Sequence, residues 1–304
     1  MSTAKIVFFG TGQTSLDALI ELEKNFTIEA VITKPATKTS SGGSRPTNVE
    51  LWAKKMNLKV FNPANKKELA ELVIDQKFSS NVAVVLDYGF IIPQAVIDSF
   101  SLGILNSHFS LLPIHRGADP IRSAILAGDK TTGVTIIKIV AELDAGPILT
   151  WAEYRLDNST TEPELRITLS DLNSSLLTET LKLYLGGDID PIDQDSRCAT
   201  FTHKTSKHDG QIDYTKSAKQ IEREIRAYQG WPKSFFSYDN KIFSVVEAKQ
   251  SSKAVLAGKL EIIDKHLYLG CNDSSIEIIK IQPAGKPALS VLDFINGYQN
   301  IIGK

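Results

Sequence analysis

Short apolar runs alternate with amphipathic stretches over the first part of the chain. Lys5–Phe9, Glu29–Thr33, Lys59–Phe61, Val82–Leu86 and Gly103–His108 read as strands, because they are brief and rich in β-branched residues. Between them apolar positions recur every three or four residues. Ser15–Glu23 places Leu16, Leu19 and Ile20 on one face, and Asn48–Met56, Lys66–Gln76 and Pro93–Ser99 continue the helical pattern. This rhythm predicts an α/β fold with a doubly wound, mainly parallel sheet covered by helices. Two more strand-like runs follow at Gly133–Ile139 and Pro147–Tyr154. A helical pattern then spans Thr161–Leu185, with Leu165, Leu169, Leu172, Leu176 and Leu177 forming a core-facing stripe.

At Gly186–Ser196 the pattern gives way to glycine, aspartate and proline, which marks a linker. The expected organisation is a first domain over 1–189, a linker over 190–206 and a second domain over 207–304. The second domain begins with one helix, Ser217–Tyr228. Five short strands follow at Ser234–Tyr238, Lys241–Val246, Gly258–Ile263, His266–Leu269 and Ser275–Ile281, broken by turns at Asp239-Asn240 and Asp264-Lys265. A small barrel of the OB-like kind is the expected architecture.

Composition narrows this picture. Apolar residues make up 42% and charged residues 23% of the chain, as in an ordinary globular protein. No apolar run reaches the roughly 18 residues a membrane helix requires. The first strand starts at Lys5, which leaves no room for a secretory leader, so the expected location is cytoplasmic. Cys198 and Cys271 stand far apart, and neither a metal site nor a disulfide framework is expected. The net charge of −1 conceals an asymmetry: residues 1–202 carry 19 basic and 24 acidic side chains, and residues 203–304 carry 15 and 11. A basic final third is compatible with a polyanionic partner.

Candidate chemistry gathers at the C-terminal ends of the strands, where open α/β sheets bind ligands. Gly10-Thr-Gly12 follows the first strand, but the third glycine of a dinucleotide fingerprint is Ser15. No acidic residue closes the second strand to hold a ribose, so a tight strand-to-helix turn is the better reading. Asn106 and His108 lie two apart at the end of a strand and therefore share a face. An asparagine amide can donate to an oxyanion, and histidine is the natural general base at neutral pH. Asp144, in a turn with Gly146 and Pro147, is placed to orient His108 and help hold a water, or else is a turn-forming residue. Asp119 reads as a helix cap before Pro120. His115, His203, His208 and His266 lack metal-ligand spacing, and Leu111-Leu-Pro113 reads by pattern as core or turn.

Taken together, Asn106-Ser-His108, Ser110-Leu-Leu-Pro113, Arg116-Gly117, Pro120, Ala127-Gly-Asp129, Thr132–Thr135 and Leu143-Asp-Ala-Gly146 closely resemble the formyl-tetrahydrofolate-dependent formyltransferases. Tyr88-Gly89 and Ile92-Pro93 fit the same pattern. Ile225–Pro232 and Ile281–Lys286 resemble signatures of the branch that acts on methionyl initiator tRNA. The resemblance implies a Rossmann-like first domain, an OB-like second domain that binds tRNA, and a monomer. It implies catalysis by Asn106, His108 and Asp144, with 10-formyltetrahydrofolate as cosubstrate, held in part by Ser110, Leu111, Leu112 and Pro113. Leu86–Ile92 would line the pteridine pocket. The implied acceptor is the α-amino group of methionyl initiator tRNA, with a small amine such as an amino sugar nucleotide as the alternative.

The chain departs from this pattern in places. The loop Lys34–Pro46 carries only Lys34, Lys38 and Arg45, where such enzymes have a strongly basic loop that contacts tRNA. Gly12 replaces a proline, His115 an aromatic residue and Asp119 a small one, and Asp87 enters the folate-lining stretch.

Overall fold

The computed structural model describes residues 4–38 and 43–298. Residues 39–42 of the loop Lys34–Pro46 lie outside this range, as do residues 299–304 of the second domain. The chain divides into two compact units. One comprises Met1–Pro120, Thr131–Arg155 and Arg166–Thr202, and the other Ile121–Lys130, Leu156–Leu165 and His203–Lys304.

In chain order the elements are β1 (Lys5–Gly10), α1 (Gln13–Asn25), β2 (Thr27–Ile32), β3 (Thr37–Lys38), β4 (Ser44–Arg45), α2 (Asn48–Lys55), β5 (Val60–Phe61), α3 (Lys66–Gln76), β6 (Val82–Leu86) and α4 (Gln94–Ile97). There follow β7 (Gly103–His108), β8 (Arg116–Gly117), α5 (Pro120–Ala127), β9 (Thr131–Lys138), β10 (Ile148–Arg155), α6 (Glu162–Gly186) and β11 (Phe201–Thr202). The main sheet has the order β10-β9-β7-β6-β1-β2-β5. Its β5, β2, β1, β6 and β7 run parallel, whereas β9 runs antiparallel to both β7 and β10. The chain winds outward from β1 to β2 and β5, then returns across β1 to β6 and β7. The switch point therefore lies between β1 and β6.

Burial follows these positions. Every residue of β6 is buried, as a central strand covered on both faces requires, and β10 alternates as an edge strand does. The core on one side of the sheet joins Val7, Phe9, Ile32, Val85 and Ile104 to Leu69 of α3. Helices start where caps permit. The Thr47 hydroxyl accepts from Glu50 N ahead of α2, and Asn65 accepts from Lys67 N and Glu68 N ahead of α3.

Part of the stretch read as a linker is bound into this first unit. Ile192 bridges Ile148, and β11 pairs in parallel with β8. In the second unit, α7 (Ala218–Ala227) precedes β12 (Ser234–Tyr238), β13 (Lys241–Ser251), β14 (Leu260–Ile263), β15 (His266–Gly270), β16 (Ser275–Pro283), β17 (Leu289–Ser290) and α8 (Val291–Gly297). These strands form a curled antiparallel sheet in the order β12-β13-β16-β15-β14, with β17 on β16. Phe236, Phe243, Leu267, Leu269, Ile278 and Phe294 fill its concave side, with Ile221 and Ile225 of α7. The five expected strands are present. β13 runs longer than expected because two register shifts let it continue beside β16.

Among the described residues no helix is long and apolar enough to cross a membrane. Nor does any group of three or more His, Cys, Asp or Glu among them suit a metal ion.

Candidate active site

Asn106 and His108 emerge from β7 on one face, beside the switch point. Asn106 sits between Val85 of β6 and Ile137 of β9, and His108 lies opposite Thr135. The Asn106 side chain is half-buried, and its amide has no hydrogen-bond partner among the described residues. His108 is 5% exposed. Its Nε2 lies 2.8 Å from the His115 carbonyl oxygen and must donate to it, since a carbonyl only accepts. That bond fixes the tautomer and leaves Nδ1 as the nitrogen that can gain and lose a proton.

Nδ1 faces Asp144, whose Oδ2 lies 3.7 Å away. The turn after β9 brings the two together across 36 residues. Asp144 holds a φ of 49°, a left-handed conformation that aspartate tolerates better than most side chains. The Gly117 amide donates to Asp144 Oδ2 at 2.8 Å. Gln194, from the stretch read as linker, donates its Nε2 to the carbonyls of Asp144 at 2.8 Å and Gly146 at 2.7 Å. Its Oε1 accepts from Arg116 Nη2 at 2.8 Å and Nε at 3.1 Å. Arg116 is 1% exposed and reaches Glu142 Oε1 at 3.4 Å. Pattern reasoning missed Gln194, which carries no periodic or motif signal, and noted Arg116 only as part of a motif.

Ser110–Pro113 folds directly after His108. Ser110 is fully buried and donates to the Ile114 carbonyl at 2.5 Å. The Thr135 hydroxyl ties the loop to β9, donating to Ser110 O at 2.6 Å and accepting from Leu112 N at 3.1 Å. Leu112 is buried, while Leu111 and Pro113 keep part of their surface. Across the switch point, Ser15 donates to Leu86 O at 2.5 Å and Thr11 to Tyr88 O at 3.1 Å. A Cβ on Gly12 would collide with the Asp87 carboxylate. The glycine at position 12 thus allows the first turn to pack closely against the residue that follows β6.

Asp87 has exposed surface, and its carboxylate lies against Gly12 of the first turn. Desolvation pushes its carboxyl above the usual range, against the pull of Arg166 and Lys34, and the charge of Asp119 adds to the push. An open depression of about 490 Å³ is lined by Lys66, Lys67, Ile91, Ile92, Pro93 and Ala141 among others. It meets the Leu86–Ile92 stretch only at its C-terminal end and does not include Asn106, His108 or Asp144.

Comparison with known proteins gives the family. The family described as formyl transferase matches residues 4–181, and the formyl transferase C-terminal domain matches residues 204–299. The chain belongs to the formyl transferase family. It is a formyl-transferring enzyme. It is 32% identical over 294 residues to the methionyl-tRNA formyltransferase of Rickettsia canadensis, covering 96% of both chains. It is 34% identical over 302 residues to that of Pseudoalteromonas translucida, covering 96% of this chain and 94% of the relative. Among solved structures, an N-formyltransferase from Helicobacter canadensis, crystallised with folinic acid and dTDP-3-aminofucose, superposes with a TM-score of 0.67 at 17% identity. That match covers 93% of this chain and all of the other. HypX from Aquifex aeolicus also superposes, with a TM-score of 0.67 at 14% identity over 99% of this chain and 48% of its own. At such identities these two structures speak to the fold of the formyl transferase alone.

Proposed function

We propose that this formyl transferase moves the formyl group of 10-formyltetrahydrofolate to the α-amino group of methionyl initiator tRNA, as a cytoplasmic monomer. The observation that carries the reading is the convergence of the Asn106 amide, the His108 ring and the Asp144 carboxylate at the switch-point edge of the sheet. Relatives matched over 94–96% of their length at 32–34% identity and named for the tRNA reaction support the acceptor. The folate cosubstrate supplies the formyl group. Ser110–Pro113 and the Leu86–Ile92 stretch flank the site on either side and would hold it there.

The chain's own groups then do the following. As the acceptor amine adds to the formyl carbon, a C–N bond forms and negative charge develops on the formyl oxygen. Asn106 donates an N–H to that oxygen, a contribution of about 3 kcal/mol for a well-placed donor. The amine must lose a proton, and the leaving nitrogen must gain one. His108 Nδ1, with Asp144 beside it, takes the first and delivers the second as the old C–N bond breaks. The tautomer fixed by the His115 carbonyl keeps the other ring nitrogen out of this exchange. Gly117 N and the Gln194 amide hold the carboxylate in place.

The test is single-turnover formyl transfer to charged initiator tRNA by the wild-type enzyme and by Asn106→Ala, His108→Ala and Asp144→Ala. Losses of about 10²-fold or more in each are expected. A variant that keeps the wild-type rate removes its residue from the site.

A further inference from the structure

We infer that Gln194 is a positioning residue for Asp144, a reading that rests on the catalytic role proposed above. Asp144 occupies a backbone conformation that side chains seldom adopt, with φ at 49°. The side chains around the turn hold this conformation in place. Here a single side-chain amide binds both carbonyls of the turn, at Asp144 and Gly146. The amide itself is fixed in one orientation. Its oxygen lies between two N–H donors of Arg116, so its NH2 must face the carbonyls.

Arg116 in turn is buried and bonded through its own backbone, its N–H donating to Thr200 O at 2.8 Å. The next residue, Gly117, grips the Asp144 carboxylate. Asp144 is therefore held from both ends, its carboxylate by Gly117 and its backbone by Gln194. The same stretch frames the other partner of His108. Thr200 Oγ1 accepts from His115 N at 2.8 Å, steadying the residue whose carbonyl receives Nε2. The turn has no slack, since a Cβ on Gly146 would collide with the Lys138 carbonyl oxygen. Releasing Gln194 frees the turn to shift, and a displacement of about 1 Å at a reacting group costs roughly 10²-fold in rate.

Two substitutions separate positioning from mere support. Gln194→Glu retains an acceptor for Arg116 but sets a carboxylate against two carbonyls. Gln194→Met fills the space and offers neither bond. In wild-type background each is expected to lower kcat about 10²-fold, with KM for both substrates within about twofold and the thermal midpoint within a few degrees. In an Asp144→Ala background the same changes are expected to alter the single-turnover rate by less than about twofold, because the group being positioned is gone. Unchanged kcat in both variants overturns the inference, as does a rise in KM in place of the fall in kcat. A full 10²-fold further loss in the Asp144→Ala background does so too. If Asp144→Ala alone keeps wild-type turnover, the catalytic reading fails and the inference falls with it. If Asp144→Ala is crippled and the Gln194 variants are not, only the inference fails. Should one Gln194 variant not fold, the other carries the test.

Discussion

His108 commits one ring nitrogen to the His115 carbonyl, so its proton chemistry is confined to the atom that faces Asp144. Asn106 is the opposite case, a half-buried amide with no hydrogen-bond partner among the described residues. That difference separates activity from stability. Asn106→Ala is expected to lower turnover about 10²- to 10³-fold, while urea denaturation shifts by no more than about 0.5 kcal/mol. A large loss of stability would mean that the amide supports the fold instead. Asp87 gives a pH test. Its carboxyl binds a proton more tightly in the folded than in the unfolded chain. Its contribution is complete below the unfolded pKa and is lost as pH rises through the folded one. Asp87→Asn is therefore expected to gain stability relative to wild type between pH 3 and pH 7, measured by denaturant midpoints. A difference that does not change with pH would refute the assignment. The Asn-x-His pair was legible from sequence because a strand's period of two puts both on one face. The tautomer was not, since it depends on a backbone carbonyl seven residues away.

At the scale of elements, the strand and helix alternation was readable because burial periodicity is a local signal. β6, buried on both faces, and the amphipathic α7 are where the pattern places them. The stretch from Ile192 to Thr202 was not readable as part of the first unit. Its bonds are one- and two-residue backbone pairings and side-chain bonds to residues about 44 to 85 positions earlier, which leave no period in the sequence. Asp144 shares that difficulty, because spacing alone does not show a turn folding back on β7. Two predictions belong here. Gly146→Ala forces the turn away from the Lys138 carbonyl, and formyl transfer is expected to fall at least about 10²-fold with the circular dichroism spectrum unchanged. Normal turnover would show that the turn has room to move. Glu29, at the start of β2, accepts four hydrogen bonds from the amides and hydroxyls of Ser79 and Ser80 ahead of β6. Burial pushes its carboxyl up, but these bonds outweigh burial and hold it below the usual range. The stabilisation is present above the unfolded pKa and is lost as pH falls through the folded one. Glu29→Gln is expected to cost about 1 kcal/mol at pH 7, with its partial exposure allowed for. The cost should shrink toward pH 3, and an equal cost at both pH values would contradict this account.

For the whole molecule, the proposed site lies on the sheet of the first unit, and the charge of the chain bears on the proposed acceptor. The excess of basic residues lies in 203–304, and the first 202 residues are acidic on balance. A polyanionic acceptor releases counterions as its phosphates are neutralised, so its binding weakens steeply with salt, whereas a sugar nucleotide releases few. The loop Lys34–Pro46, with only three basic residues, is expected to contribute little to that slope. The most direct measurement sets charged initiator tRNA against an amino sugar nucleotide, each with 10-formyltetrahydrofolate, over a range of salt concentrations. The account predicts a kcat/KM for the charged tRNA at least about 10³-fold higher at low salt, falling steeply as salt rises. Equal or faster formylation of the amino sugar nucleotide, with no salt dependence for the tRNA, would contradict it.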